Sequence, residues 1–262
     1  MASAILTTFF AFLLAYSIHF TNLSGSYKRI IRKLAVLPML LPTITYGFAI
    51  IYSCGKQGLF TRIFGRQLFD IYGVNGLLIG YVIYTLPVSF MLLNNTMNYI
   101  DKKYLVVSRV MGDSHIRTFL KTVLRPLSGT MAASVIQCFF LCFTDFGIPA
   151  SVGGRKEVIA GVLYNEMLGS VPNFHSGAVV ALFMLLPSVL SIAVLNYLER
   201  YNIRYNRISQ VELRKSAFRD VLFGMVSAVI LLSVLAVFAV IFLVPFIEEW
   251  PYRMQITMEH IK

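Results

Sequence analysis

Long apolar runs recur along this chain, at residues 2–20, 34–54, 77–97, 130–148, 177–197 and 221–246. Each is close to the roughly 20 residues that a helix needs to cross a hydrocarbon core of about 30 Å. Lipid offers the backbone no hydrogen-bond partners, so only helices and closed barrels can span it. These runs lack the alternation of barrel strands. The expectation is an all-α, polytopic transmembrane helical bundle of about six spans. Composition agrees, because only 13% of the residues are charged and 57% are hydrophobic. A soluble domain carries about 25% charged residues, and half that number cannot cover a water-exposed globule.

The basic residues set the orientation. Connections 21–33, 98–129 and 198–220 hold 16 Lys and Arg, and the other side holds 7. The positive-inside rule puts those three connections in the cytoplasm and both chain ends outside. The net charge of +11 therefore reads as loop orientation, and no nucleic-acid partner is expected. Residues 2–20 lack the basic start of a secretory signal, so they read as a span. Pro38, Pro42, Pro87 and Pro187 lie inside spans, where neighbouring groups must satisfy the freed carbonyls. Cys54, Cys138 and Cys142 sit in apolar runs and read as small core residues. His19, His115, His175 and His260 lie in separate segments without ligand spacing, so neither a metal site nor a cofactor is expected.

The middle cytoplasmic connection is about 30 residues long, yet it is not rich in Gly or Ser. Tyr104, Leu105, Ser108 and Met111 recur at helical spacing before Gly112. Ile116, Phe119, Leu120 and Val123 form a second amphipathic stretch, which Pro126 is expected to stop. The pattern is helix, glycine turn, helix, and two readings of it are open. One is an amphipathic pair lying on anionic lipid. The other is a docking element that offers apolar anchors within a charged rim to a soluble partner.

The same stretch resembles the EAA loop of ABC importer permeases. Aligned on Gly112, Val106, Val107 and Ser108 stand at the Glu-Ala-Ala places, and that triplet itself is absent. Leu124 falls at the Leu of the pattern, and Pro126 lies one residue after the usual proline. Phe143-Thr-Asp-Phe-Gly-Ile-Pro149, Gly153-Gly154, the run 158–164 and Gly177-Ala178 resemble permeases of the ferric iron, thiamine, polyamine and 2-aminoethylphosphonate group. So do Leu37-Pro-Met-Leu-Leu-Pro42 and Gly55-Lys-Gln-Gly58. The resemblance implies a type I ABC importer permease in the bacterial cytoplasmic (inner) membrane. It implies a cytoplasmic ABC ATPase dimer, an extracytoplasmic solute-binding protein, a second permease half and membrane lipid as partners. ATPase docking is then expected at Tyr104, Ser108, Met111, Gly112, Asp113, Ser114, His115, Arg117, Thr118, Phe119 and Pro126. Many relatives fuse two membrane halves. Residues 1–197 are accordingly expected to form one domain lacking its first helix, with 198–220 a basic linker and 221–262 the start of a second, truncated half.

Asp145 is the one acidic residue inside an apolar run. It reads either as a cap at the break around Gly147 or, with Phe143 and Thr144, as part of a translocation path. Gly153-Gly154 follows no strand, and no Gly-Lys-Ser/Thr run occurs in the chain. A transport subunit is therefore expected, with ATP hydrolysis on another subunit. Tyr99-Ile-Asp-Lys-Lys and Tyr201-Asn-Ile-Arg-Tyr-Asn-Arg follow spans directly and read as interfacial anchors. The alternatives are a secondary transporter, which would place paired ionisable groups at mid-membrane, and a non-functional permease remnant.

Overall fold

A computed structural model describes residues 1–67, 69–154, 156–199, 216–250 and 252–257. Its long helices are α1 (Ala2–His19), α5 (Val74–Asn98), α8 (Arg125–Thr144), α11 (Phe174–Glu199) and α12 (Ala217–Leu243). Shorter helices connect them: α2 (Gly25–Leu34), α3 (Thr43–Cys54), α4 (Leu59–Phe64), α6 (Lys103–Val110), α7 (His115–Phe119), α9 (Gly147–Val152) and α10 (Ile159–Leu168). Among the described residues five helices are long and apolar enough to cross a membrane, and a broken pair makes up to six. The chain is thus a polytopic helical membrane protein. Within α5 and α11 the helix runs on through Pro87 and Pro187.

Three local features differ from the sequence expectation. The run 34–54 is not one helix: α2 ends at Leu34, a short 3-10 turn covers Leu37–Leu40, and α3 starts after Pro42. Pro42 has no N–H to extend a preceding helix and restricts the residue before it. Pro126 does not stop its helix. The turn before it, Leu120–Leu124, widens to a π turn, with the Arg125 N–H bonded back to the Leu120 carbonyl. That wider turn accommodates a proline whose missing donor and bulky ring would disrupt an ordinary i→i−4 turn. Finally, β1 (Ile247–Glu249) pairs antiparallel with β2 (Arg253–Ile256), a hairpin that the apolar pattern did not foretell. Tyr52 meets Trp250 edge-on at 6.0 Å beside it.

The described residues divide into two compact units. The first comprises residues 1–37, 85–140 and 186–229. Its core is a polar seam between α1, α5 and α8. Thr7 bonds Thr85 at 3.0 Å, Thr8 bonds Ser134 at 3.1 Å, and Ser134 also bonds Ser89. Thr130 bonds Thr96 at 3.1 Å, and His19 Nε2 lies 3.0 Å from Asn94 Oδ1. Hydroxyls of this kind join helices that the hydrophobic effect cannot join in lipid, each adding about 0.6 kcal/mol. The start of α12 is fastened to α1 and α2 in the same way. Ser17 donates to the Phe223 carbonyl at 3.2 Å, and Tyr27 to the Gly224 carbonyl at 2.8 Å.

The second unit comprises residues 38–84, 141–185 and 230–262. Here α3 and α9 pack backbone to backbone through glycines. A Cβ on Gly47 would collide with Ser151, and one on Gly147 would collide with Thr43 and lie 2.6 Å from the Ile44 nitrogen. Small residues at such crossings let membrane helices approach until their main chains touch. Ile148, fully buried, fills the space beside Gly80, whose own Cβ would lie 2.7 Å from it. Tyr46 closes the core against Phe238 (5.3 Å) and Tyr84 (5.6 Å). Of the three cysteines, Cys138 is buried, Cys54 and Cys142 are half-buried, and all are free thiols.

Candidate docking site

The hairpin between α5 and α8 is built from its turn outward. Asp101 accepts the Lys103 N–H at 2.9 Å and so starts α6. Helix α6 ends in a left-handed turn, with Gly112 at φ +78. A side chain there is strained by roughly 1–2 kcal/mol, which is the physical reason for a glycine at this place. Ser114 then caps α7 by accepting the Arg117 N–H at 3.4 Å.

One side of the hairpin is consumed by its own bracing. The buried Ser108 hydroxyl donates to Asp113 at 2.8 Å and lies 3.0 Å from the Thr118 hydroxyl. The Asp113 N–H returns to the Ser108 carbonyl at 3.0 Å, which closes the turn on itself. Arg117 and Lys121 approach the same carboxylate at 3.5 and 3.9 Å. The Ser108 hydrogen bond, followed by these cations, holds the Asp113 carboxyl below the usual carboxylate range. At neutral pH it is therefore an anion that ties α6 to α7. Phe119 turns inward too, edge-on to Phe12 (6.2 Å) and Tyr16 (5.9 Å) of α1.

The opposite side is left open. Val110, Met111 and Ile116 are 83%, 78% and 73% exposed, and Tyr104, Val107 and Leu120 are about half exposed. Tyr104, Val107, Met111 and Lys121 line a cleft of about 300 Å³ with Ser108, Asp113 and Thr122 at its base. His115 and Arg117 are exposed at its margin.

The residues expected to dock thus divide into two groups. Tyr104, Met111, Gly112, Ser114, His115 and Arg117 face outward. Ser108, Thr118, Phe119 and Pro126 shape the hairpin from within, and Asp113 links the two groups. Val107, Val110 and Lys121 belong to the open face and were not among the docking residues expected from the sequence. The spacing of Tyr104, Val107 and Met111 carries that stripe, but it competes there with the equally regular set Tyr104, Leu105, Ser108 and Met111.

At the second candidate position Asp145 is buried, and its carboxylate accepts the Ile148 N–H at 3.0 Å. The Gly147 N–H and the Thr43 hydroxyl face it as well. It satisfies donors in the first turn of α9 that have no partner within the helix. Phe143 and Thr144 precede it at the end of α8. Of the interfacial anchors expected from the sequence, Tyr99 is exposed directly after α5, and residues 200–215 lie outside the described residues.

Compared with known proteins, residues 7–250 match the family described as binding-protein-dependent transport system inner membrane component. The chain belongs to that family. It is a multi-pass inner-membrane protein of the permease type, as the EAA-like loop implied. A ferric transport system permease protein of Actinobacillus pleuropneumoniae is 25% identical over 201 residues, 75% of this chain and 29% of its own. A Haemophilus influenzae protein, placed in the same ferric group by its name, is 23% identical over 258 residues, 94% of this chain and 40% of its own. A sulfate transport system permease protein of Synechococcus elongatus is 27% identical over 213 residues, 79% of this chain and 74% of its own. The chain spans less than half the length of the two ferric relatives.

Proposed function

We propose that this chain is the membrane-spanning permease subunit of an ATP-driven solute importer, docking a separate ATPase through the cytoplasmic loop 98–127. The observation that carries the reading is the open face of Val110, Met111 and Ile116 on a hairpin braced from behind, in a chain of this family. Exposed apolar anchors ringed by charge are what a soluble partner takes up. Lipid alone would also cover such residues, but it needs no rigid turn. Here Gly112, Ser108 and Asp113 fix the angle between two short helices, and a fixed angle suits a partner of fixed shape. The chain has no phosphate-binding Gly-Lys-Ser/Thr run, so the ATPase is a separate subunit, working as a dimer. A solute-binding protein on the outer side and a second permease half complete the importer. The relatives are named for ferric iron, sulfate and thiamine, which points to a small charged solute delivered by that binding protein. Extraction in a gentle detergent is expected to retain an ATPase subunit on the full chain. Clean recovery of the chain without one, or labelling of Met111→Cys from the outer face of intact cells, overturns the reading.

In the same reading Phe143, Thr144 and Asp145 border the solute path. Asp145→Asn keeps an oxygen for the Ile148 N–H but removes the charge, so it separates the cap from the path. Uptake is expected to fall about tenfold, on the scale of one lost charge-assisted contact, at normal protein levels. Unchanged uptake reduces Asp145 to its cap.

A further inference from the structure

Where α2 meets the first turns of α12, the described residues leave an open groove of about 530 Å³, lined chiefly by Leu23, Tyr27, Val221, Gly224, Met225 and Ala228. Ligand sites commonly measure about 300–1,000 Å³. The groove exists because α2 is tied to α12 through the Tyr27 hydroxyl at a glycine, Gly224, where no side chain fills the space. Tyr27 donates to the Gly224 carbonyl at 2.8 Å and lies 3.0 Å from the Ser227 hydroxyl. A Cβ on Gly224 would already stand 3.1 Å from Leu23.

Positive charge gathers at one end. Arg32, Lys102 and Arg219 all lie within electrostatic reach of Lys28, and Arg29, Arg32 and Lys33 are exposed along α2. Among the described residues one carboxylate, Asp220 in the groove lining, stands with these cations, and its Oδ1 is paired. It receives Arg219 at 2.9 Å and the Asn22 N–H at 3.0 Å. Lys28 gives one donor to the Thr21 carbonyl at 2.6 Å, which leaves two more on the ammonium. By the distribution of Lys and Arg this end faces the cytoplasm, the side where basic pockets beside membrane helices hold anionic head groups.

We propose that the groove and its basic rim bind one anionic phospholipid, its phosphate between Lys28, Arg32 and Arg219 and an acyl chain along Leu23, Tyr27 and Met225. An apolar groove alone would accept any lipid tail, and a basic rim alone any anion. Side by side they select a molecule that carries both. The assignment is independent of the ATPase-docking reading, since none of Leu23, Tyr27, Lys28, Arg32, Arg219 and Met225 lies in loop 98–127.

The test uses the full chain in a neutral detergent, titrated with phosphatidylglycerol or phosphatidylcholine, with bound lipid counted by native mass spectrometry. Phosphatidylglycerol is expected to be retained at least tenfold more strongly. Lys28→Gln and Arg32→Gln are each expected to lower that retention about fivefold, the scale of one cation near an anionic surface. Met225→Trp, at a position 58% exposed and so tolerant of a larger side chain, is expected to weaken phosphatidylglycerol by filling the groove without altering charge. Equal retention of the two lipids overturns the site. So does phosphatidylglycerol binding that Met225→Trp leaves unchanged and inorganic phosphate displaces, because the groove then plays no part. Loss of a co-purifying protein in Met225→Trp with lipid retention intact overturns it as well, in favour of a protein occupant.

Discussion

Gly147→Val is expected to remove the folded protein from the membrane, seen as loss of the monodisperse peak in detergent size-exclusion chromatography. The added carbons would enter the space held by Thr43 and the Ile44 main chain. Main-chain atoms of a packed helix cannot turn aside as a flexible side chain can. Overpacking of a core costs about 1–3 kcal/mol when side chains can yield, and more where they cannot. Against a total stability of about 5–15 kcal/mol, that loss is decisive. Gly47→Ala provides the internal comparison, because its new methyl meets the Ser151 side chain, not main chain. It is expected to be less severe, and Ser151→Gly in the same chain is expected to restore much of the loss. Ser151 also donates to the Gly147 and Ile148 carbonyls at 2.9 and 3.0 Å, so restoration will be incomplete. A Gly147→Val protein with normal yield and elution would refute the close packing of α3 on α9.

Met111→Asp together with Ile116→Asp is expected to abolish capture of the ATPase while leaving the permease itself intact. Both side chains are more than 70% exposed, and surface substitutions of this kind usually change stability by no more than about 0.5 kcal/mol. Truncating a central anchor of an interface costs about 2–4 kcal/mol, and 1.4 kcal/mol is tenfold in affinity. Two carboxylates buried at a contact would weaken binding at least a hundredfold. The checks are pull-down of the ATPase and solute uptake, read beside the melting temperature of the permease. Lost capture with an unchanged melting temperature supports docking through this face. Normal capture and uptake place the ATPase elsewhere. Ser108→Val separates the two halves of the hairpin's design: it removes the brace behind the turn and is expected to lower thermal stability first.

The membrane character of the chain was legible without coordinates, because about 20 successive apolar residues constrain a segment whatever its neighbours are. The helix–glycine–helix hairpin was legible for a related reason. A left-handed turn strongly favours glycine, and Gly112 stands between two amphipathic stretches. What could not be read was which stripe of α6 turns inward. Ser108 and Val107 are both regular members of helical sets. Only the approach of Asp113 and Thr118 to the Ser108 hydroxyl decides that Ser108 is braced and Val107 is open. The helix through Pro126 escaped prediction likewise, since a π turn is a local adjustment with no hydropathy signature.

Sequence by itself determined the solvent, the helical class, the distribution of charge along the chain and the family, all properties set by residue type and local spacing. Tertiary structure alone decided the polar seam of Thr7, Thr85 and Ser134, the contact of Gly147 with Thr43, the Asp145 cap on α9 and the groove between α2 and α12. Each of these joins residues brought together by helix packing in lipid. Such packing depends on shape and on single hydrogen bonds, and an apolar run reads the same whichever of its faces meets a neighbour.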